Sequence, residues 1–185
     1  DIAAVQRATG RVDDAPVVAE PFASWVIAGD FPAGRPRWDE AGALFVADIV
    51  PFERRKLWLL NAAHSFLAYE GSLRGHATVA EALAVATCAQ WVERLWDEAA
   101  AHLTGPGLDV PAYRAALLGR FRNARIAHPL HQIAEDGLVK LRMRTVPVIT
   151  AELAAGRKGT AGARVVAAWI AYVLSQPDPT ALRDA

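Results

Sequence analysis

The sequence predicts a mainly α-helical chain with a short β-containing lead-in, and three observations predict it. Strand-like clusters of Val, Ile, Phe and Trp, bounded by prolines and a Gly-Asp turn, fall within the first 50 residues. From Pro51 onward, apolar residues recur at steps of three and four through one segment after another. The breaks between those segments are glycines, prolines and a capping box, which stop and start helices. Strands followed by an unbroken series of helices divide the chain into a lead-in, residues 1–50, and a helical domain, residues 51–185.

In chain order, residues 1–10 read as a short helix closed by Gly10. "APVVAEPFASWVIAGDF", residues 15–31, has strand composition, and "PAGRPRW" is a loop. "GALFVADIV", residues 42–50, is a second short strand stopped by Pro51. Pro51 suits a first helical turn, with Glu53 close to the positive end of the helix. Helical periods then cover 51–71, 78–84, 86–103, 111–122, 126–135, 137–155 and 161–176. Thr78 and Glu81, in "TVAE", form a capping box ahead of an apolar run. Gly105-Pro106-Gly107 breaks the chain and Pro111 restarts a helix. No period of 20–50 residues repeats, so the helices do not build a solenoid.

The totals exclude several function classes. Of 185 residues, 53% are hydrophobic and six are tryptophan, enough for a sizeable core. Acidic and basic residues balance at twenty each, without the basic excess that a nucleic-acid or membrane-surface partner requires. The single cysteine, Cys88, rules out an internal disulfide framework and fits a reducing compartment, so a cytoplasmic location is expected. "ARVVAAWIAYVLS" is too short, and too closely flanked by Arg164 and Asp178, to span a bilayer. No secretion signal opens the chain. It starts at Asp1 and its only methionine is Met143, from which a segment removed upstream is expected.

The chemistry concentrates in "KLWLLNAAH", residues 56–64. Leu57, Leu60, Ala63 and Leu67 make an apolar stripe, yet the same helix carries Lys56, Asn61 and His64. On an α-helix Asn61 lies about 140° round from Lys56, with His64 about 80° round, between them. The three span about 12 Å of axis on one face. A lysine in a closed pocket loses charge readily and then serves as general acid or base. An asparagine amide donates to a developing alkoxide, and a neutral imidazole hydrogen-bonds a hydroxyl. Together they suit moving a proton on a secondary alcohol or ketone while a hydride moves elsewhere. By spacing alone the plainer reading is favoured, a solvated polar stripe opposite a leucine stripe.

"KLWLLNAAHSFLAYEGSLRG" closely resembles the K-x4-N-x2-H signature of the polyol-specific long-chain dehydrogenases, the family of mannitol 2-dehydrogenase and fructuronate reductase. The resemblance extends to "VVAEPFASWVIAGDFPAGRPRWDEAGALFVADIVPFERRK", similar to the family's entry into its C-terminal domain. It continues in "RFRNARIAHPLHQIAEDGLVK", similar to the later "RFxNPxIxH…QIxxDGSxK" block, so nearly the whole chain is covered. The resemblance implies a multi-helix C-terminal dehydrogenase domain, with residues 51–185 catalytic and substrate-binding. It implies that Lys56 is the catalytic acid/base, that Asn61 holds the reacting oxygen, and that His64 binds substrate and supports the lysine. Glu53 matches a proton-path residue and Lys140 a substrate-contacting lysine. The reaction implied is metal-independent hydride transfer between a carbinol carbon and NAD or NADP.

Departures narrow the reading. No G-x-G-x-x-G follows a strand, and Gly105-Pro106-Gly107 has no strand before it. No cofactor-binding residue is therefore expected in this chain; NAD or NADP is expected on an upstream Rossmann domain, and the isolated chain is expected to be inactive. Leu138 stands where the family has serine, Arg142 and Ala124 where it has prolines, and Gln132 where mannitol dehydrogenases often carry arginine. These differences bear on substrate more than on reaction. Arg120, Arg122 and Arg125 are candidates for a carboxylate site, but surface charges more commonly face solvent or pair locally. Lys140, Arg142 and Arg144 raise the same question. His128 and His131 flank Pro129 without further ligands at metal spacing, so no metal site is expected. His76 and His102 read as surface residues, Trp91, Trp96 and Trp169 as core, Cys88 as a small buried residue and Asp30 as a turn former. The expected substrate is a mannitol- or arabinitol-type polyol or its ketose. The alternatives are a sugar acid such as fructuronate, or a helical interaction domain without activity.

Overall fold

A computed structural model describes residues 2–17, 19–20 and 22–177. The chain is mainly α-helical and packs as two units, residues up to Val46 and residues from Ala47 onward.

In the first unit, α1 (Ile2–Thr9) ends where Gly10 takes φ 71, with its N–H on the Gln6 carbonyl. The strands are much shorter than residues 15–31 and 42–50 suggest. Only β1 (Val26–Ile27) and β2 (Leu44–Phe45) pair, in parallel, with Val26 opposite Leu44 and Ile27 opposite Phe45. Pro16, Pro32 and Pro36 supply no N–H to a ladder, which keeps the pairing short. Residues 18 and 21 of the predicted first strand lie outside the described residues. Side chains brace the crossover: Trp25 packs on Trp38 at 5.0 Å, and Arg35 lies 3.4 Å over the Phe45 ring while pairing with Asp39 at 2.7 Å.

The second unit is built around one long helix in three parts: α2 (Val50–Arg55), a π-helical turn (Lys56–Asn61) and α3 (Ala62–Leu73). α3 is buried almost throughout and packs against α4 (Val79–Ala84), α5 (Ala86–Ala100), α7 (Leu130–Ala134), α8 (Gly137–Arg144) and α10 (Thr160–Ser175). Its small residues permit this. A β-carbon on Gly71 would come within 2.6 Å of Ala82 Cβ and 2.7 Å of Leu130 Cδ1. Glu70, buried on the same helix, is held by Arg74 at 2.7 Å and by Arg164 of α10 at 3.1 Å.

The caps are partly those the sequence announces. Thr78 and Glu81 form the capping box in full. Less foreseeable is the start of α10, where Glu98 of α5 accepts from the N–H groups of Ala161 at 2.8 Å and Gly162 at 2.9 Å. α6 (Val110–Phe121) follows the Gly-Pro-Gly break, as its sequence predicts.

Two helical readings and one side-chain reading need correction. Residues 137–155 are not one helix: they divide at Thr145 (φ −120, ψ −46) into α8 and α9 (Val146–Ala154). Pro147 cannot donate to the carbonyl four residues back, so a new helix starts there. The helix expected over 126–135 shrinks to α7. Asn123 accepts from the Arg125 N–H in a local turn, and Pro129 sits at the N-cap. His102 is no plain surface residue: it joins Glu152, which is buried, at 2.7 Å, and Arg157 closes the cluster. Arg157, then His102, hold the Glu152 carboxyl below the usual range against the pull of burial.

Candidate active site

The π turn decides how the polar face is presented. Ala62 N–H reaches the Leu57 carbonyl, the i→i+5 pairing of a widened turn. Adding a residue to the turn brings position i+5 back toward the azimuth of position i. Asn61 therefore swings nearer Lys56 than the 140° separation of a straight α-helix allows. Two donors from elsewhere hold the widened turn. Trp96, fully buried on α5, gives its indole N–H to the Leu59 carbonyl at 2.9 Å. Arg144 of α8 donates to the Asn61 carbonyl at 3.4 Å and to Ser65 Oγ at 3.0 Å. The apolar side of the turn, Trp58, Leu59 and Leu60, is buried.

Of the predicted residues, Lys56 and Glu53 are exposed, while Asn61, His64 and Lys140 are half-buried. His64 is the most constrained. Its ring stacks on Phe121 of α6 (centroids 4.6 Å apart, interplanar angle 29°) and meets His128 edge-on at 5.9 Å. Nε2 is sealed from solvent and has no hydrogen-bond partner among the described residues. Burial first, then the fields of His128, Arg144 and Arg120, push the His64 pKa down to about 3. The imidazole is therefore neutral at ordinary pH, with a polar atom inside the protein awaiting a partner.

Lys140 and Arg144 lie one turn apart on the same side of α8, and Lys140 Nζ donates to the Ile133 carbonyl at 3.2 Å. The start of α8 allows this approach. Asp136 takes φ 54, and a β-carbon on Gly137 would fall 2.3 Å from Trp169 Nε1 and 2.9 Å from Tyr69 Oη. The Asp-Gly step thus lets α8 seat its basic face. Beneath α2, Arg55 donates to the Leu108 carbonyl and lies 4.2 Å over the Tyr113 ring.

Lys56 and Asn61 stand at the two ends of the widened turn and His64 three residues beyond, on α3, so that an amine, a carboxamide and a neutral imidazole follow one another along one helix. The sequence family that matches residues 48–182 is described as the mannitol dehydrogenase C-terminal domain. The chain belongs to that family. Relatives of the mannitol dehydrogenase C-terminal domain include D-mannonate oxidoreductase of Escherichia coli, 41% identical over 165 residues, covering 88% of this chain and 34% of the enzyme. D-arabinitol 4-dehydrogenase of Ralstonia nicotianae is 35% identical over 170 residues, covering 91% of the chain and 37% of the enzyme. Among solved structures, Pseudomonas fluorescens mannitol 2-dehydrogenase in ternary complex with NAD and D-mannitol superposes with a TM-score of 0.84 at 36% identity. That match covers 93% of this chain and 35% of the other. The chain thus spans about a third of the length of these relatives.

The dehydrogenase C-terminal domain also brings to His64 groups that the sequence did not place there. Phe121, His128 and Arg144 all face His64 or the π turn, and Trp96 is more than core. In the sequence Arg144 stands only with Lys140 and Arg142 as a possible anion-binding group; its position four residues after Lys140, which puts both on one helix face, is the signal for a place beside the site. His131, by contrast, is exposed, as are Arg122 and Arg125. Trp91 and Trp169 are half-buried. Among the described residues no three of His, Cys, Asp and Glu gather as a metal site, and the His64–His128 pair sits in the field of two guanidiniums. Among the described residues no strand leads through a G-x-G-x-x-G turn into a helix; these residues form no dinucleotide cradle. Among them, too, no helix is long and apolar enough to cross a membrane. A cavity of about 490 Å³ lies between α5 and α6, lined by Ala100, Leu103, Val110, Pro111 and Arg114. Arg114 is paired with Glu93 at 2.6 Å and Asp97 at 2.8 Å, so no uncommitted charge points into it.

Proposed function

We propose that residues 51–185 form the catalytic and substrate-binding domain of an NAD- or NADP-dependent, mannitol-type polyol dehydrogenase acting in the cytoplasm. A nicotinamide cofactor, held by a Rossmann domain outside these residues, supplies or accepts the hydride. The residues of this chain handle the oxygen and its proton. Lys56 acts as general base when the polyol is oxidised and as general acid when the ketose is reduced. Asn61 donates from its carboxamide to the oxygen as negative charge develops, and neutral His64 binds the same oxygen through its buried Nε2. Lys140 contacts the substrate's further hydroxyls. Glu53, exposed on the turn before Lys56, links that lysine to bulk water as a proton path. No metal is assigned a step, because Lys56 itself takes the proton.

The observation that carries this reading is the unpartnered, sealed Nε2 of a neutral His64, three residues beyond the widened turn that bears Lys56 and Asn61. A solvated polar stripe would not bury an imidazole without a partner. A second reading, a sugar-acid substrate such as a uronate, is favoured by one observation: Arg120 and Arg144 both act on His64, a positive field suited to a carboxylate. The D-mannonate oxidoreductase relative points the same way.

The test is turnover by the complete polypeptide, with nicotinamide absorbance as the signal. Mannitol oxidation abolished by Lys56→Ala supports the assignment, and an unimpaired Lys56→Ala enzyme ends it. Turnover of uronate but not of mannitol selects the second reading. Failure with every polyol and sugar acid would leave a helical interaction domain. The 185-residue chain alone is expected to be inactive and not to bind the cofactor.

A further inference from the structure

Arg144 serves no surface purpose. Its guanidinium is half-buried on α8, where burial draws its pKa below the usual arginine range, and among the described residues no carboxylate pairs with it. Instead one nitrogen, Nη1, donates to two groups of the central helix: the Asn61 carbonyl at 3.4 Å and Ser65 Oγ at 3.0 Å. Ser65 is completely buried and lies one turn beyond Asn61. Both acceptors stand at the point where the π turn gives way to α3. A widened turn leaves carbonyls poorly served by its own backbone, and outside donors stabilise it.

We infer that Arg144 is the positioning residue of this site, its two Nη1 hydrogen bonds to Asn61 and Ser65 fixing the end of the π turn and so the aim of the Asn61 and His64 side chains. The inference rests on the proposed role of those two residues at the reacting oxygen. Asn61 carries its reactive carboxamide on the very residue whose carbonyl Arg144 holds. Among the described residues no hydrogen bond reaches the Asn61 carboxamide or His64 Nε2; the His64 ring is held besides only by its packing on Phe121 and His128. The second action is electrostatic. Arg144, with Arg120 of α6 and His128 ahead of α7, opposes protonation of His64, and Phe121 covers the ring. One guanidinium therefore aims two hydrogen-bonding groups and adds, after burial and His128, to what keeps one of them neutral. A lysine in its place supplies charge, but on a compact, strongly hydrated ammonium at the end of a flexible stem, which the half-buried position on α8 disfavours.

The experiment uses the complete polypeptide and three variants: Arg144→Met, Arg144→Lys and Ser65→Ala. Two readouts are followed, mannitol or uronate turnover against pH and the titration of His64 by NMR of labelled histidine. Arg144→Met is expected to lower kcat by about 10–100-fold with KM changed less than about threefold, since misaimed groups cost rate rather than binding. Its His64 titration should move upward from about 3. Arg144→Lys should keep the low titration but recover only a small part of kcat. Ser65→Ala, which keeps the guanidinium, should lower kcat several-fold with His64 unchanged. Wild-type kcat in Arg144→Met, or full recovery in Arg144→Lys, would overturn the inference. If the unmodified protein turns over no polyol or sugar acid, the functional reading fails separately. The inference is then judged by His64 titration and by hydrogen exchange at the Asn61 and Ala62 amides, and unchanged values in Arg144→Met would reject it.

Discussion

The Phe121 ring lies 4.6 Å from the His64 imidazole at 29°, so one face of the histidine is covered by an aromatic surface that cannot solvate a charge. Together with His128, Arg144 and Arg120, this makes the neutral form the only comfortable one.

The first prediction concerns pH. Burial, then the fields of His128, Arg144 and Arg120, push the His64 pKa down to about 3 in the folded chain, from an ordinary imidazole value of 6.5. Between those values the unfolded chain binds the extra proton and the folded chain does not, so stability falls as pH drops below about 6.5 and levels off near 3. From pH 7 to pH 4.5 the loss from this group is roughly 2–3 kcal/mol. Urea denaturation at the two pH values should show it, and His64→Gln should remove that share of the difference.

A second prediction follows from the indole bond. Trp96→Phe keeps most of the buried ring volume but deprives the Leu59 carbonyl of its donor. The expected cost is about 1–3 kcal/mol for an unsatisfied buried acceptor. Faster hydrogen exchange confined to residues 58–63 should accompany it; a uniform change along α3 would contradict a local role.

Gly137→Ala should be destabilising through collision, with a β-carbon set 2.3 Å from Trp169 Nε1. Overpacking of this kind costs about 1–3 kcal/mol. Because α8 must move to relieve it, substrate KM should rise through Lys140 as thermal stability falls. An unchanged melting temperature would show that α8 has room.

Glu98→Gln tests the cap on α10. The neutral amide keeps one acceptor oxygen where the carboxylate has two, for the Ala161 and Gly162 amides. A loss of about 0.5–2 kcal/mol is expected at neutral pH, read by chemical denaturation. Exposed Glu40→Gln, outside any such cap, serves as the comparison and should change little.

Much of the helical architecture was legible because its signals are local. The capping box at Thr78 and Glu81, the Gly10 stop and the Pro51 and Pro111 starts each act within a turn of the chain. The strands were over-read because Val, Ile and Phe have the same composition in a braced loop as in a ladder; prolines decided the outcome. Lys56, Asn61 and His64 were visible as a face, yet their mutual aim was not. It depends on donors 37 and 83 residues away from the carbonyls they hold, Trp96 on Leu59 and Arg144 on Asn61. No periodicity within residues 56–64 encodes such partners. His64's neutrality was equally invisible, since Phe121, His128 and Arg120 come from α6 and the segment ahead of α7.

The widened turn makes the way the backbone closes between lysine and asparagine as consequential as their chemistry. Closing it as an ordinary α-helix with every residue kept would rotate all that follows by about 100°. Every functional group would survive that closure, but carboxamide and imidazole would point elsewhere. Removing one residue from 57–60 would instead leave their directions nearly as they are, because the extra residue is what the wide turn absorbs.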